Sequence, residues 1–189
     1  MATAQPRPIT AEEFLAIEWD DSEAKAELDN GVIRIMRMMA GGNADHSRVQ
    51  GNILAALREK LRGTGCRPHG SDMAVLMHDY SIRYPDVSVY CGRSGREDGK
   101  RQAFDDPKLI VEVLSPTTRR QDVEIKLPEY SALPSLDAIL YVDPDEETVR
   151  VMTRTSNANW RSELISEDAD ITLKALGVTL SWSDIFARD

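Results

Sequence analysis

The sequence predicts an α/β fold with a mixed central β-sheet flanked by helices. Two segments, 109–114 and 138–142, are almost wholly apolar, as expected of strands that are buried on both faces of a sheet. Between them, the region 120–131 has the residue spacing of a helix, although Pro128 falls late in it. Turn residues separate several further short strands, so an α/β fold with a mixed sheet suits the whole pattern.

The first elements along the chain are a short helix and a hairpin. Thr10 and Glu13 have the spacing of a capping box, and Phe14 begins an apolar cluster that the helix can bury. Asn30-Gly31 is a strong signal for a two-residue turn, which predicts two strands over 26–39.

A longer helix follows over 45–61, because apolar residues recur there at four-residue intervals. Gly63-Thr64-Gly65 ends it. Short strands are predicted at 73–77 and 86–90, and the glycine-rich stretch 91–107 is predicted to be an exposed loop. Between Cys91 and Phe104, four arginines and lysines stand against two acids, so this loop either contacts a phosphate backbone or is simply solvated.

The remaining elements are mainly strands. Ser115-Pro116 breaks the strand at 109–114, and the helix 120–131 leads to the strand at 138–142. Alternating segments at 149–154 and 160–165 predict an antiparallel pair. The chain closes with a short amphipathic piece at 182–186.

The composition is that of one globular domain. The chain has 189 residues, of which 41% are apolar and 29% charged, and we expect a single domain over 1–189 with its core at about 10–165. No stretch approaches the ~20 apolar residues of a membrane span, and residues 1–10 lack the apolar core of a signal peptide. Cys66 and Cys91 have neither metal-ligand nor redox spacing. We therefore expect a cytoplasmic protein with free thiols, which excludes the secreted, membrane and zinc-ribbon classes.

Acidic residues outnumber basic ones by 32 to 23, which gives a formal net charge of −9. Eight of the acids and only one base lie between residues 11 and 30, so the rest of the chain is closer to neutral. A net acid repels nucleic acid, because non-specific affinity comes from cationic contacts to phosphate. The uneven distribution weakens this objection to a nucleic-acid partner without removing it.

Glu112 is the most informative residue of the sequence. It lies inside segment 109–114, in which every other residue is apolar. An ionised carboxylate in that setting is costly unless a cation, a metal or hydrogen-bond donors satisfy it. Because carboxylates are suitable ligands for Mg²⁺ or Mn²⁺, Glu112 is either a metal ligand or a core acid that pairs with an arginine or lies at the edge of the sheet.

Asp86 is the second carboxylate of interest. It follows Tyr84-Pro85 and precedes the strand at 87–90, so it lies where that strand enters the sheet. If this strand lies beside that of Glu112, the two carboxylates converge, and a divalent cation would offset their repulsion. Otherwise Asp86 only caps a turn.

Lys126 lies on the predicted helix that follows Glu112. Asp122, Lys126 and Tyr130 recur at four-residue spacing and therefore share one helix face. From that face a lysine can reach back over the carboxylates and contact a bound phosphate or the attacking water. The alternative is a solvated ion pair between Asp122 and Lys126.

Taken together, these residues resemble one known family. In chain order the sequence carries Glu27-Leu28-Asp29-Asn30-Gly31, His46, Arg83-Tyr84-Pro85-Asp86-Val87, Glu112-Val113-Leu114-Ser115-Pro116-Thr117-Thr118, Asp122, Lys126 and Tyr130. The set is similar to the restriction endonuclease family labelled "Uma two", a branch of the PD-(D/E)XK nuclease superfamily. The likeness runs from about residue 10 to Pro144, and the run that begins at Glu112 is its most specific part.

The resemblance implies a restriction-endonuclease-like fold with a divalent metal site. Asp86 and Glu112 would bind Mg²⁺ or Mn²⁺, together with the backbone carbonyl of Val113. Orthodox members of the superfamily carry a lysine two residues after the acid, where this chain has Leu114. The similar family shows the same departure, and a helical lysine at the position of Lys126 takes over.

The implied chemistry is hydrolysis of DNA phosphodiester bonds. The metal would lower the pKa of a bound water and neutralise charge on the scissile phosphate, while Lys126 would steady the transition-state charge or orient the water. Glu27 matches an acid near the metal site and would hold the metal through water. His46, in the first turn of its helix, either contacts phosphate at the positive helix end or merely packs or caps.

Three function classes stay open at this point. The first is a Mg²⁺-dependent endonuclease that acts on DNA as a homodimer, with one site for each strand. The second is a non-catalytic interaction or scaffold protein with the same fold, which the acidic charge favours. The third is a metal-dependent enzyme on another phosphate ester. For the first, Glu112→Gln is expected to abolish cleavage and to raise stability by removing charge repulsion.

Overall fold

The computed structural model of the protein describes residues 7–19, 24–37, 43–92, 98–115, 121–166 and 168–188. Within these ranges it contains four α-helices and thirteen β-strands. The helices are α1 (Ala11–Leu15), α2 (Ala44–Lys60), α3 (Leu127–Ala132) and α4 (Trp182–Phe186). The strands are β1 (Ala24–Asp29), β2 (Val32–Arg37), β3 (Cys66–Gly70), β4 (Ala74–His78), β5 (Ser81–Arg83), β6 (Val87–Cys91), β7 (Ala103–Phe104), β8 (Leu109–Val113), β9 (Ala138–Asp143), β10 (Thr148–Ser156), β11 (Asn159–Ser166), β12 (Ile171–Leu173) and β13 (Val178–Leu180). None of the described helices combines the length and apolarity that crossing a bilayer requires.

Most strands belong to two larger sheets. The six-stranded sheet has the order β11-β10-β9-β8-β6-β3, and the five-stranded sheet has the order β2-β1-β5-β4-β7. The six-stranded sheet is mixed, because β8 and β9 run parallel while its other neighbours pair antiparallel. The predicted α/β class with a mixed sheet is confirmed, although part of the predicted central sheet is a separate sheet.

The two apolar segments of the sequence form the centre of the six-stranded sheet. Every residue of β8 and β9 is buried. Val111 and Leu140 pack in the cluster that contains the buried side chains of α2, whereas Ile110 and Ile139 pack with Tyr130 of α3 on the other face. Helices thus cover both faces, which explains why these strands carry so few polar residues.

The predicted helix start and hairpin turn are confirmed. The hydroxyl oxygen of Thr10 accepts a hydrogen bond from the Glu13 N–H, and the Glu13 carboxylate accepts one from the Thr10 N–H at the start of α1. Asn30 and Gly31 have φ values of 49° and 78°, the left-handed geometry of a type I′ turn. A Cβ on Gly31 would overlap Pro8, so glycine is required there.

The stretch 91–107 is more ordered than the predicted loop. It contains a 3₁₀ turn, Asp98–Lys100, and the strand β7, in which Phe104 is buried. β7 has two residues and pairs with the distant β4, so no local periodicity reveals it. The loop residues 93–97 lie outside the described residues.

The predicted helix at 120–131 begins as a π-helical turn, Gln121–Lys126, and continues as α3. Pro128 lies in the first turn of α3, where the missing N–H would have no partner within the helix. The proline therefore marks the beginning of α3 instead of weakening its end.

Cys66 and Cys91 form a disulfide, so the expected free thiols are wrong. The two cysteines face each other directly in the pairing of β3 with β6, although 25 residues separate them in sequence. The spacing of cysteines along the sequence reveals metal-ligand and redox motifs. A disulfide between neighbouring strands depends instead on the register in which the strands pair, which the spacing does not give.

We expect the disulfide to contribute to stability. A loop of this length, closed by a crosslink between residues 25 apart, stabilises a fold by about 3 kcal/mol, largely through the unfolded chain. Cys66→Ala/Cys91→Ala should therefore unfold at lower urea concentration than the oxidised wild type, and at the same concentration as the wild type in dithiothreitol. Two reactive thiols in the unfolded, unreduced wild type would contradict the bond.

Candidate functional site

Asp86 and Glu112 lie next to each other where β6 pairs with β8. Val87 is opposite Val111 in the antiparallel register. The next pair of positions in the same register is therefore Asp86 and Glu112. The N–H of Val113 donates a hydrogen bond to Asp86 Oδ2 at 2.7 Å. This is the convergence that the sequence predicted for the case of neighbouring strands.

Glu112 is buried, and hydrogen-bond donors satisfy its charge. Its Oε1 accepts hydrogen bonds from Lys126 Nζ at 3.0 Å and from the Tyr130 hydroxyl at 2.5 Å. Burial and the nearby charge of Glu112 raise the pKa of Tyr130 well above its usual value, which keeps the phenol a neutral donor. Glu112 thus lies on an interior strand and not at the edge of the sheet, and Lys126 is a charged partner.

Lys126 is only 4% exposed, so the predicted alternative of a solvated lysine is wrong. Its Nζ also lies 3.6 Å from Glu27 Oε1. Lys126 ends the π-helical turn and precedes Tyr130 by four residues, which brings both donors to Glu112 from one face. The side chain of Asp122 lies outside the described residues.

Glu27, on β1 of the five-stranded sheet, connects that sheet to the buried lysine. It is 2% exposed. Its Oε1 accepts a hydrogen bond from the N–H of Tyr84 at 3.2 Å, and its Oε2 lies 3.5 Å from Nη1 of Arg83. Glu27 therefore lies between two cations, Lys126 and Arg83.

Arg83 was not predicted as a site residue, yet it organises the acids of this region. It is 2% exposed and donates to both carboxylate oxygens of Glu129 at 2.7 Å and to Asp29 Oδ1 at 3.2 Å. Burial lowers the pKa of Arg83, but the carboxylates of Glu129, Glu27 and Asp29 outweigh burial and leave the pKa raised. The only sequence signal was its place in the motif that contains Asp86.

His46 lies beside Asp86 at the beginning of α2. Its backbone N–H donates to the side chain of Asn43 at 2.9 Å, and its Nε2 lies 3.4 Å from Asp86 Oδ2. The hydrogen bond to Asp86 raises the pKa of His46 against the effect of burial, and a hydrogen bond to the main chain of Val113 adds to the increase. His46 thus lies beside Asp86, one of the groups that were predicted to bind a metal.

The donor set around Asp86 and Glu112 suits a hard cation. Among the described residues, no group of three or more His, Cys, Asp and Glu side chains is arranged to hold a metal. Mg²⁺ is usually bound by only one or two carboxylates, with waters and substrate phosphates completing its shell. Two carboxylates from paired strands and the carbonyl of Val113 fit that pattern, and they do not fit a closed zinc site.

A solved structure shares the mixed α/β fold of this chain. The chain matches the crystal structure of a putative nuclease belonging to DUF820 from Anabaena variabilis ATCC 29413 with a TM-score of 0.74. The match covers 95% of this chain and 98% of that chain, at 22% identity. The chain therefore shares the mixed α/β fold of that protein over nearly its whole length.

Two proteins of Synechocystis sp. (strain ATCC 27184 / PCC 6803 / Kazusa) are similar over nearly the whole chain. "Uncharacterized protein sll1609" is 28% identical over 90% of this chain and 96% of its own length. "Uncharacterized protein slr1290" is 26% identical over 94% of this chain and 91% of its own length. The sequence pattern of the family Uma2, described as "Putative restriction endonuclease", matches residues 11–183, and the chain belongs to this family.

Proposed function

We propose that the protein is a divalent-metal-dependent endonuclease that hydrolyses phosphodiester bonds of DNA. The observation that carries the proposal is the buried contact of Lys126 with Glu112, beside Asp86. Charged groups inside a sheet are costly, and replacement by apolar residues is often neutral or stabilising. A protein that needed only a packed core would have little use for them, and the family description agrees with a nuclease.

Asp86, Glu112 and the carbonyl of Val113 would hold Mg²⁺ or Mn²⁺. A bound cation of this kind would lower the pKa of the attacking water and neutralise negative charge on the scissile phosphate. The side chain of Asp86 is 16% exposed, compared with 4% for Glu112. Asp86 is therefore the ligand that solvent and a substrate phosphate reach first.

Lys126 would stabilise negative charge on the phosphate or orient the attacking water. Lys126 contacts Glu112 at 3.0 Å and Glu27 at 3.6 Å, so Glu27 would still hold the ammonium group when Glu112 binds a cation. A positioning role suits Glu27 better than water-mediated contact with the metal, because its contacts are with Arg83, Lys126 and a backbone N–H. His46, at the positive end of α2, would contact a phosphate oxygen.

The proposal includes a homodimer, because each chain offers one site and duplex DNA has two strands to cut. A cytoplasmic location and a single domain over the whole chain are further parts of it. Structural disulfides are rare in cytosolic proteins. A disulfide between Cys66 and Cys91 in protein isolated from its natural host would therefore argue against the cytoplasmic location, and free thiols would support it.

Calorimetric titration with Mg²⁺ or Mn²⁺ at low salt tests the metal site. We expect the wild type to bind the cation, and Asp86→Ala and Glu112→Ala to lose binding, because each removes one of the two carboxylate ligands. Glu163→Ala is the control, since Glu163 is an exposed acid on β11 whose contact is Arg161.

The same titration should be repeated with a phosphorothioate oligonucleotide present, because substrate phosphate completes many Mg²⁺ sites. Absence of cation binding by the wild type both with and without the oligonucleotide would contradict the proposal. Cleavage of a generic plasmid that requires the cation and is lost in both alanine variants would support it.

The second candidate function is a non-catalytic interaction or scaffold protein with this fold. The net charge of −9 favours it, because an acidic protein approaches DNA against electrostatic repulsion. A scaffold would neither bind Mg²⁺ through Asp86 and Glu112 nor cleave plasmid. An enzyme on another phosphate ester would bind the cation and hydrolyse small phosphodiesters, but not plasmid.

A further inference from the structure

A groove of about 370 Å³ lies between the segment that follows α1 and the turn that leads into β4. Six of the nine described residues that line it are aromatic or apolar: Phe14, Leu15, Ile17, Trp19, Met73 and Tyr84. Trp19 is 41% exposed and contacts the ring of Phe14 edge-on at a centroid distance of 5.9 Å. A volume of this size lies within the range of small-ligand pockets.

The groove adjoins the candidate metal site through Tyr84. The N–H of Tyr84 donates to Glu27, and the phenol has a raised pKa because of burial and the charge of Glu27. Tyr84 precedes Asp86 by two residues, so their Cα atoms are at most about 7 Å apart. A ligand in the groove and a phosphate at Asp86 can therefore belong to neighbouring parts of one molecule.

Lining residues of the groove pack against two clusters that include neighbours of the site. Met73 packs against the cluster that contains Tyr130, a hydrogen-bond donor to Glu112. Ile17 and Tyr84 pack against the cluster that contains Leu28, next to Glu27 in β1. The lining of the groove thus packs against the same clusters as residues that neighbour the candidate metal site.

The polar groups of the lining favour a flat heteroaromatic ligand. Arg101 lies over the ring of Phe104, 5.3 Å from its centre, and Asp72 and Gln102 supply a carboxylate and an amide. Unstacked nucleobases bind proteins by stacking on aromatic rings and by hydrogen bonds to their edges, while arginine contacts the phosphate or stacks. An aliphatic side chain of a protein partner would use none of these polar groups.

We propose that this groove binds an unstacked nucleobase of a single-stranded DNA segment whose phosphate lies at Asp86. The inference rests on the proposed nuclease function and adds the class of substrate. Trp19 and Tyr84 provide the stacking surfaces, and Arg101 provides positive charge. Because a paired base must first leave its stack, single-stranded or locally unpaired DNA binds more tightly than an intact duplex.

Fluorescence anisotropy in EDTA tests binding without cleavage. The probes are a labelled single-stranded oligothymidylate, a duplex of equal length and an abasic deoxyribose-phosphate strand. Trp19→Ala should weaken binding of the oligothymidylate by about five- to a hundredfold, and Trp19→Phe should restore most of it. Neither variant should alter binding of the abasic strand, which has phosphates but no bases. The control is Tyr80→Ala, because Tyr80 is also 41% exposed and does not line the groove.

Two results would overturn the inference: unchanged oligothymidylate binding by a folded Trp19→Ala variant, or equal weakening on the abasic strand. The proposed nuclease function fails separately. Base-dependent binding without any Mg²⁺-dependent or Mn²⁺-dependent cleavage would leave the groove assigned and remove the nuclease. Cleavage that does not depend on Trp19 would keep the nuclease function and remove the groove from the substrate site.

Discussion

Glu112→Gln should lower metal-dependent plasmid cleavage by at least about a hundredfold, since it removes one of two carboxylate ligands of the proposed cation. Glutamine keeps the size of the side chain and an acceptor for the Tyr130 hydroxyl, which now lies 2.5 Å from Glu112 Oε1. The variant should therefore fold. Cleavage at the wild-type rate would exclude Glu112 from the site.

The same variant should be less stable than the wild type. The sequence suggested the opposite, because two converging carboxylates without a cation repel each other. In the structure, however, Lys126 already contacts Glu112 at 3.0 Å, and glutamine would leave a buried ammonium group without that charged partner. A hydrogen bond to a charged group contributes about 1.5–3 kcal/mol, and we expect the free energy of unfolding to fall by about 2 kcal/mol.

Urea unfolding measures this loss, and Glu163→Gln is the matched control. Glu163 forms an exposed pair with Arg161 at 3.4 Å, and such pairs contribute at most about 1 kcal/mol. A gain of stability in Glu112→Gln would show that repulsion between the acids outweighs the contact with Lys126.

Residues whose polarity differs from that of their sequence neighbours indicated the central part of the site. Glu112 was recognised because the other residues of its strand are apolar, and Asp86 because it precedes a strand at a turn. Lys126 and Tyr130 shared a predicted helix face, and the structure brings both to Glu112. Periodicity and the cost of a buried charge singled out Glu112 and the helix face of Lys126, whereas the resemblance to a known family joined Asp86, Glu112 and Lys126 into one site.

The rest of the charged network depends on packing between distant elements. Arg83 and Glu129 are 46 residues apart, and their contact joins the five-stranded sheet to α3. No local pattern links two such positions, and β5, which carries Arg83, has only three residues. The disulfide was missed for the same reason, since Cys66 meets Cys91 only through the register of β3 and β6.

Arg83→Met should cause the largest loss of stability among the single substitutions considered. The guanidinium contacts Glu27, Asp29 and Glu129, and it is 2% exposed. Without it, three neighbouring carboxylates lose their common cation. Removal of one partner from a buried ion pair costs about 3–5 kcal/mol, a large part of the total stability of an ordinary domain.

Arg34→Met is the matched control for this substitution, because Arg34 contacts the same Asp29 at 3.4 Å from a side chain that is 60% exposed. Its loss should stay below about 1 kcal/mol. Arg83→Met/Glu129→Gln should recover part of the stability, since it removes the acid that Arg83 binds through two oxygens. Equal losses in Arg83→Met and Arg34→Met would show that the buried contacts to Glu27 and Glu129 contribute little. A large loss confined to Arg83→Met would mean that the buried contacts of Arg83 with Glu27 and Glu129, and not the contact with Asp29 that Arg34 shares, carry the stabilisation.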